Sequence, residues 1–266
     1  MASFTGKTFS SFYKNILSIS RTGNTGMETD LLYYIQDGNG DDSCYAVSQN
    51  NLFIRPQAAD STSTFVVANN GSDHLLKVDS TNKKVLVNES QTAANTQYAI
   101  FGANYIDISS FAANKHYPIA FTGAGASNTN DVDFGTGTDP DDSFTTANTD
   151  TQYASQIVPM IWRLPDNITI SSVTHIEGAD NATGDTTRMH LKSFDFTSGS
   201  TSCLTNGTLL GHNTDITNAG NEQAYLSTWT VDSADVDANK AILCFFRSDS
   251  INSDYSITVT VKYFIR

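Results

Sequence analysis

Residues 65–88, FVVANNGSDHLLKVDSTNKKVLVN, read as three short strands joined by two turns, with no room for a core between them. The runs at 65–67, 75–78 and 85–87 are apolar or β-branched, as half-buried strands require. Asn69-Asn70-Gly71 and Asp79-Ser80-Thr81-Asn82 separate them, and these side chains tolerate left-handed backbone or bond their own main chain. Strands this short cannot bury a core alone. The stretch needs a partner surface, and the simplest one is another copy of itself.

The rest of the chain speaks the same language. Ser, Thr, Asn, Asp and Gly dominate while Lys, Arg and Glu are sparse, which disfavours long helices and favours short strands between turns. The 266 residues still supply ample core material, so the fold class is all-β. A formal charge of −13 and a pI near 4.5 exclude nucleic acid and an anionic membrane as the main partner, because the summed field repels both. No apolar run approaches a membrane span and the amino terminus lacks a signal-peptide layout, which predicts no membrane insertion and synthesis in a cytoplasm. Cys44, Cys203 and Cys244 are odd in number and lack C-x-x-C spacing, so they read as buried free thiols.

In chain order, residues 3–20 mix Phe4, Phe9, Phe12 and Tyr13 with Lys7 and Lys14, and Arg21 follows, the most basic part of an acidic protein. Leaving such aromatics in water costs roughly 1.5–3 kcal/mol each, so something covers them: a docking partner, or the chain's own domain. Runs at 31–35, 45–47 and 52–54 are strands, and Asp37-Gly38-Asn39-Gly40 is a hairpin signal rather than a complete calcium loop. Ala-Asn-x-x-Tyr at 94–98 recurs at 113–117 and, stretched, at 147–154, which suggests equivalent corners of one β-structure. Residues 122–151 are poor in apolar groups and form a long loop. Its Asp131, Asp133, Asp139, Asp141 and Asp142 are the chain's candidates for a structural Ca2+ site, set against a plain solvated acidic loop; no other cofactor is indicated.

Strand signals return at 156–164, 168–176, 188–196, 225–231, 241–246 and 255–265. In the last, Ile257, Val259, Val261, Tyr263 and Ile265 alternate with polar residues and Phe264 breaks the pattern. The pattern predicts an antiparallel β-sandwich, jelly-roll-like, over 155–266, after segments at 1–60 and 61–98 and a linking segment at 99–154.

Catalytic chemistry is not signalled. Five histidines are scattered without H-E-x-x-H spacing, and no nucleophile elbow, P-loop or dinucleotide fingerprint is present, so the expected class is non-enzymatic. Tyr225, Trp229 and Trp162 suit either a sugar-stacking receptor site or the core of a strand.

The phrase formed by Phe65, Val67, Gly71, Leu75, Leu76, Val78, Asp79, Val85 and Val87 resembles the shaft segments of trimeric bacteriophage tail fibres. Residues 1–26, followed by Ile35-Gln36-Asp37-Gly38-Asn39-Gly40, are similar to the amino-terminal anchor of fibre or appendage proteins of marine phages. The resemblance implies a structural virion protein assembled in the host cytoplasm, with a virion-attachment region at 1–60 and a short intertwined β shaft at 61–98. It implies a homotrimer closed along Phe65, Val67, Leu75, Leu76, Val78, Val85 and Val87, and docking on a tail or capsid protein through Phe4, Phe9, Phe12, Tyr13, Lys7, Lys14 and Arg21. The head would then meet a host cell-surface glycan or protein. A capsid-attached head fibre or decoration protein is the nearest alternative. A glycan-degrading tailspike is a second, although the chain is too short for the long repetitive β-helix that carries such sites.

Overall fold

The computed structural model describes residues 18–20, 27–87, 94, 96–107, 112–121, 132–143, 154–180, 183–200, 202–250 and 253–266. Among them the chain is all-β, with helix confined to single turns at Ala154–Ile157 and Val158–Met160. It divides into two compact units, Met1–Ala94 and Asn95–Arg266.

The first unit holds two small antiparallel sheets. One runs β1 (Ser18–Ile19), β2 (Tyr33–Gln36), β3 (Asp42–Val47), β4 (Leu52–Ile54) in chain order. Its β2–β3 turn forms at the predicted hairpin: Asp37 Oδ1 accepts the Asn39 and Asp41 amides at 2.8 and 3.1 Å, and Gly40 takes a φ of 83° that favours glycine. The other sheet is the meander β5 (Phe65–Ala68), β6 (His74–Asp79), β7 (Lys84–Val87). Its turns close as their residue types dictate, with Asn69 Oδ1 accepting from Gly71 and Asp73, and Asp79 Oδ1 from Asn82.

The second unit is built on a twelve-stranded antiparallel sheet. Its strands are β8 (Thr96–Asp107), β9 (Tyr117–Phe121), β10 (Trp162–Arg163), β11 (Ile168–Asp180), β12 (Thr186–Phe196), β13 (Leu204–His212), β14 (Ile216–Thr217), β15 (Gln223–Thr228), β16 (Thr230–Val231), β17 (Asp235–Val236), β18 (Ala241–Ser248) and β19 (Asp254–Ile265). The main path is β15-β11-β19-β8-β9-β18-β12-β13-β16. At the short β8–β9 pairing, Phe101 opposite Phe121 and Gly102 opposite Ala120, the sheet turns across itself into a nearly closed, barrel-like wall. Phe101, Val173, Val259 and Val261 from one half then share a core with Ile119, Leu191, Ile242 and Cys244 from the other.

Alternation explains the apolar run of β18. Ile242, Cys244 and Phe246 face that core, while Ala241, Leu243 and Phe245 face a second cluster with Val132, Phe134, Ile157, Met160 and Phe194. A strand buried on both faces reads as continuous hydrophobic sequence. In β19 the predicted alternation holds through Val261, then reverses at the end, where Phe264 is buried and Ile265 exposed.

Three sequence readings differ from the structure. The sandwich does not begin near residue 155: β8 and β9 lie mid-sheet, so the expected linking segment is part of the same unit. Residues 156–164 form turns of helix and only the two-residue β10, with Pro159 near the start of the 3-10 turn, where a missing amide hydrogen costs least. The unpredicted β13, LTNGTLLGH, lacks β-branched density because two of its positions are contact glycines: a Cβ on Gly207 would meet Asp142 O at 3.0 Å, and one on Gly211 would meet Thr230 O at 2.9 Å.

Candidate functional site

The meander's register sorts its side chains by face. Phe65 pairs with Val78, which pairs with Val85; Val67 pairs with Leu76, which pairs with Val87. Cross-strand partners share a face, so these six of the seven predicted shaft residues form one wholly apolar surface. None of the six is buried, and Val67, Val85 and Val87 are each about 40% exposed. Leu75, the seventh, has no cross-strand partner, because the register shifts between Val67 and Ala68 and passes over it, and it is 45% exposed. At roughly 1 kcal/mol for each half-exposed side chain, on the order of 5 kcal/mol of burial per copy remains unrealised on this face.

The β1–β4 sheet is similarly thin. Ala46 is the one buried apolar residue of the first unit among the described residues, while Leu52 and Phe53 stand exposed. Arg55 lies 5.6 Å over the Tyr34 ring and 6.0 Å over that of Phe53, a cation covering aromatic faces where apolar cover is lacking.

The predicted attachment residues Phe4, Lys7, Phe9, Phe12, Tyr13, Lys14 and Arg21 lie outside the described residues, as does Asp131. Two of the three aromatics expected at a receptor site are core residues. Trp162 is 6% exposed, stacked on Phe121 at 5.9 Å and tilted against Tyr263 at 4.9 Å; Trp229 is 5% exposed and donates from Nε1 to His175 Nδ1 at 2.6 Å. Both are held by the sheet interior. Tyr225 is half-buried, its hydroxyl donating to Gln223 Oε1.

The loop acids spread toward different partners instead of converging. Asp133 pairs with Lys115 and Asp142 with Lys192, each at 2.7 Å, and Asp139 Oδ1 lies 3.1 Å from His190 Nε2. Asp141 crowds Gly135, whose φ is 87°. No group of three His, Cys, Asp or Glu side chains among the described residues is placed to hold a metal ion. Lys192, itself buried, also donates to Pro140 O at 2.5 Å and so straps this loop to β12.

Sequence spacing misses the cluster of His116, His190 and His212. The β12–β13 register sets His190 opposite His212, with ring centroids 6.3 Å apart, and His116, just before β9, meets His190 at 4.9 Å. His116 and His190 are fully buried. His116 Nε2 faces Gly137 O at 3.0 Å, while His116 Nδ1 and both His190 nitrogens lack an aligned hydrogen-bond partner. Burial holds the His116 pKa down to about 4, offset by Gly137 O and deepened by Arg247. Burial pushes His190 down to about 2, with His116, Arg188, His212 and Arg247 adding repulsion. Both are neutral imidazoles at neutral pH. His212, at the rim, pairs with Asp232 at 2.7 Å.

A second buried polar group joins β11 and β12. Because His175 Nδ1 accepts from Trp229, its proton sits on Nε2, 3.6 Å from Glu177 Oε2; Thr187 Oγ1 donates to the same carboxylate at 2.9 Å. All three are sealed from solvent, which suits an internal tie more than chemistry on a substrate. The cysteines are free, and burial raises the thiol pKa of Cys203 and Cys244. No helix among the described residues is long and apolar enough to cross a membrane.

No family model and no curated protein matches the chain. Among solved structures, it is similar to the crystal structure of an aminopeptidase from the marine sediment archaeon Thaumarchaeota archaeon, at 8% identity and a TM-score of 0.33. The match covers 72% of this chain and 40% of the aminopeptidase, so this chain corresponds to less than half of that protein.

Proposed function

We propose that the protein is a structural subunit of a bacteriophage particle, a trimeric tail fibre or fibre-like appendage. Its amino-terminal region docks on the particle, residues 65–87 close the trimer, and the unit Asn95–Arg266 is the head offered to the host surface. The observation that carries this reading is the six-residue apolar face of the β5-β6-β7 meander, left uncovered in a unit whose described residues hold one buried apolar side chain. A surface of that kind is stable in water only when a partner covers it. The shaft-like phrasing of the same residues supplies the phage setting and the threefold expectation.

Light scattering on the full-length protein tests the assembly: three chains of 28.8 kDa are expected in one particle. A monomer that keeps its β circular dichroism would sink the proposal. Host contact is tested by competition, in which the full-length protein binds susceptible cells and blocks phage adsorption. If it does neither, the head is a structural cap rather than a receptor-binding module.

A further inference from the structure

The outer face of the β15-β11-β19-β8 half-sheet carries four of the five most exposed large hydrophobic side chains of the second unit among the described residues. Register places Leu226, Ile176, Thr258 and Gly102 in one row across the four strands, and Thr228, Thr174, Thr260 and Ile100 in the next. Lys262 and Tyr98 follow beyond Ile100. Leu226 is 74% exposed, Tyr98 59%, Ile176 57% and Ile100 46%. The large apolar groups sit on opposite flanks, Leu226 and Ile176 on one side and Ile100 and Tyr98 on the other, with threonine and glycine between.

We propose that this face meets the same face on neighbouring copies around the threefold axis, the Leu226–Ile176 flank of one chain packing on the Ile100–Tyr98 flank of the next. The inference rests on the trimeric reading and names the head surface that joins in. Three observations favour a second copy as the occupant. First, the two flanks differ, so flank-to-flank contact is heterologous, the kind of contact from which a closed ring is built where the rotation closes. Second, in a chain with 28 acids, four successive rows of this face, from Gly178 to Ser172 on β11, carry no carboxylate and Lys262 as their one charge. Copies can approach there without the repulsion that their other surfaces impose. Third, only eight residues of chain separate Val87 at the end of β7 from Thr96 at the start of β8, so copies joined through the meander hold their second units on short tethers.

The size of the patch fits a tethered contact. Four strands by four rows span roughly 500 Å2 from strand spacing and rise, below the ~800 Å2 per partner of a stable independent interface. Such a face associates when a shaft holds its copies at high effective concentration and not otherwise.

The test is thiol cross-linking of the full-length Ile100→Cys/Leu226→Cys protein, at low concentration, with a short bismaleimide. Both positions are exposed, so folding is checked by circular dichroism, and the Ile176→Cys/Tyr98→Cys pair repeats the experiment on the same flanks. A covalent trimer on a denaturing gel is expected, on the order of ten-fold or more above either single variant, as copies held side by side react at millimolar effective concentration. The parent chain, with its partly exposed Cys44, sets the background. If light scattering gives a trimer but neither pair yields covalent trimer, the heads do not meet through this face and the inference falls while the shaft reading stands. If light scattering gives a monomer, both fall.

Discussion

The two units use the same strand-and-turn vocabulary with opposite results. In Asn95–Arg266 long strands fold over one another, and Phe101, Phe194, Phe245 and Val259 are sealed from water. In Met1–Ala94 short strands make two small sheets, and nine large hydrophobic side chains among the described residues remain exposed. Strand length separates the two. β11 and β19, with 13 and 12 residues, are long enough to cross the wall and meet other strands face to face; β5 and β7, with four each, end before any second layer can form. The larger unit therefore has a packed interior of its own, while the smaller buries one apolar side chain among its described residues.

That contrast predicts opposite behaviour for apolar substitutions. If the proposed trimer closes through this meander, Leu76→Asp, which places a carboxylate in the middle of its apolar face, should convert trimer to monomer by light scattering and leave the larger unit's melting transition where it was. Phe245→Ala should do the reverse, costing about 3–5 kcal/mol of head stability by denaturant unfolding while stoichiometry persists. If Leu76→Asp lowers the head transition and leaves the oligomer whole, the division of labour between the units is wrong.

Acid should act on the larger unit through the histidine cluster. In the unfolded chain His116 and His190 bind protons near pH 6.5, but in the folded state burial and the neighbouring Arg188 and Arg247 lower these values to about 4 and about 2. The unfolded state gains its protons first as pH falls. Stability is therefore full above about pH 6.5 and drops below it, by ~1.4 kcal/mol per pH unit for each histidine until its folded pKa is reached. Urea midpoints at pH 7.5, 6 and 5 should reveal a loss of about 2–4 kcal/mol across that range, and His190→Gln should roughly halve the slope. A flat profile would remove the cluster from any account of acid sensitivity.

How much of this the residues announce depends on the range of the interaction. The 65–88 meander is readable to within a residue because Asn69, Asp79 and the short apolar runs act locally, and so is the Asp37–Gly40 hairpin. Leu75 drops out of the pairing because a run of two leucines does not say which one lies opposite Val67; the register shift between Val67 and Ala68 leaves it without a cross-strand partner. The histidine cluster is invisible in sequence because it is assembled from His116, His190 and His212, which only sheet order and register bring together. Trp162 and Trp229 look alike in sequence whether they face solvent or core, and the turn of the sheet at β8–β9 puts both inside.

The smallest effects expected come from one substitution made in both units. Gly40→Ala meets no atom within 4 Å, so its cost is the positive φ of 83° alone, about 1 kcal/mol confined to the β2–β3 hairpin. Gly207→Ala has ordinary φ but no room: the new Cβ would lie 2.7 Å from Lys192 Cε, 3.0 Å from Asp142 O and 3.1 Å from Asp142 Cα. The lysine tip can move, but Asp142 O already accepts the Gly207 amide, so relief means pulling the 132–143 loop off β13. Overpacking of that sort costs roughly 1–3 kcal/mol. Calorimetry should thus find the head transition a few degrees lower in Gly207→Ala and unchanged in Gly40→Ala. Protease nicking within residues 132–143 should rise in the first variant only. Equal shifts in both would mean that the two units unfold together, and that the first depends on the second for more than its covalent connection.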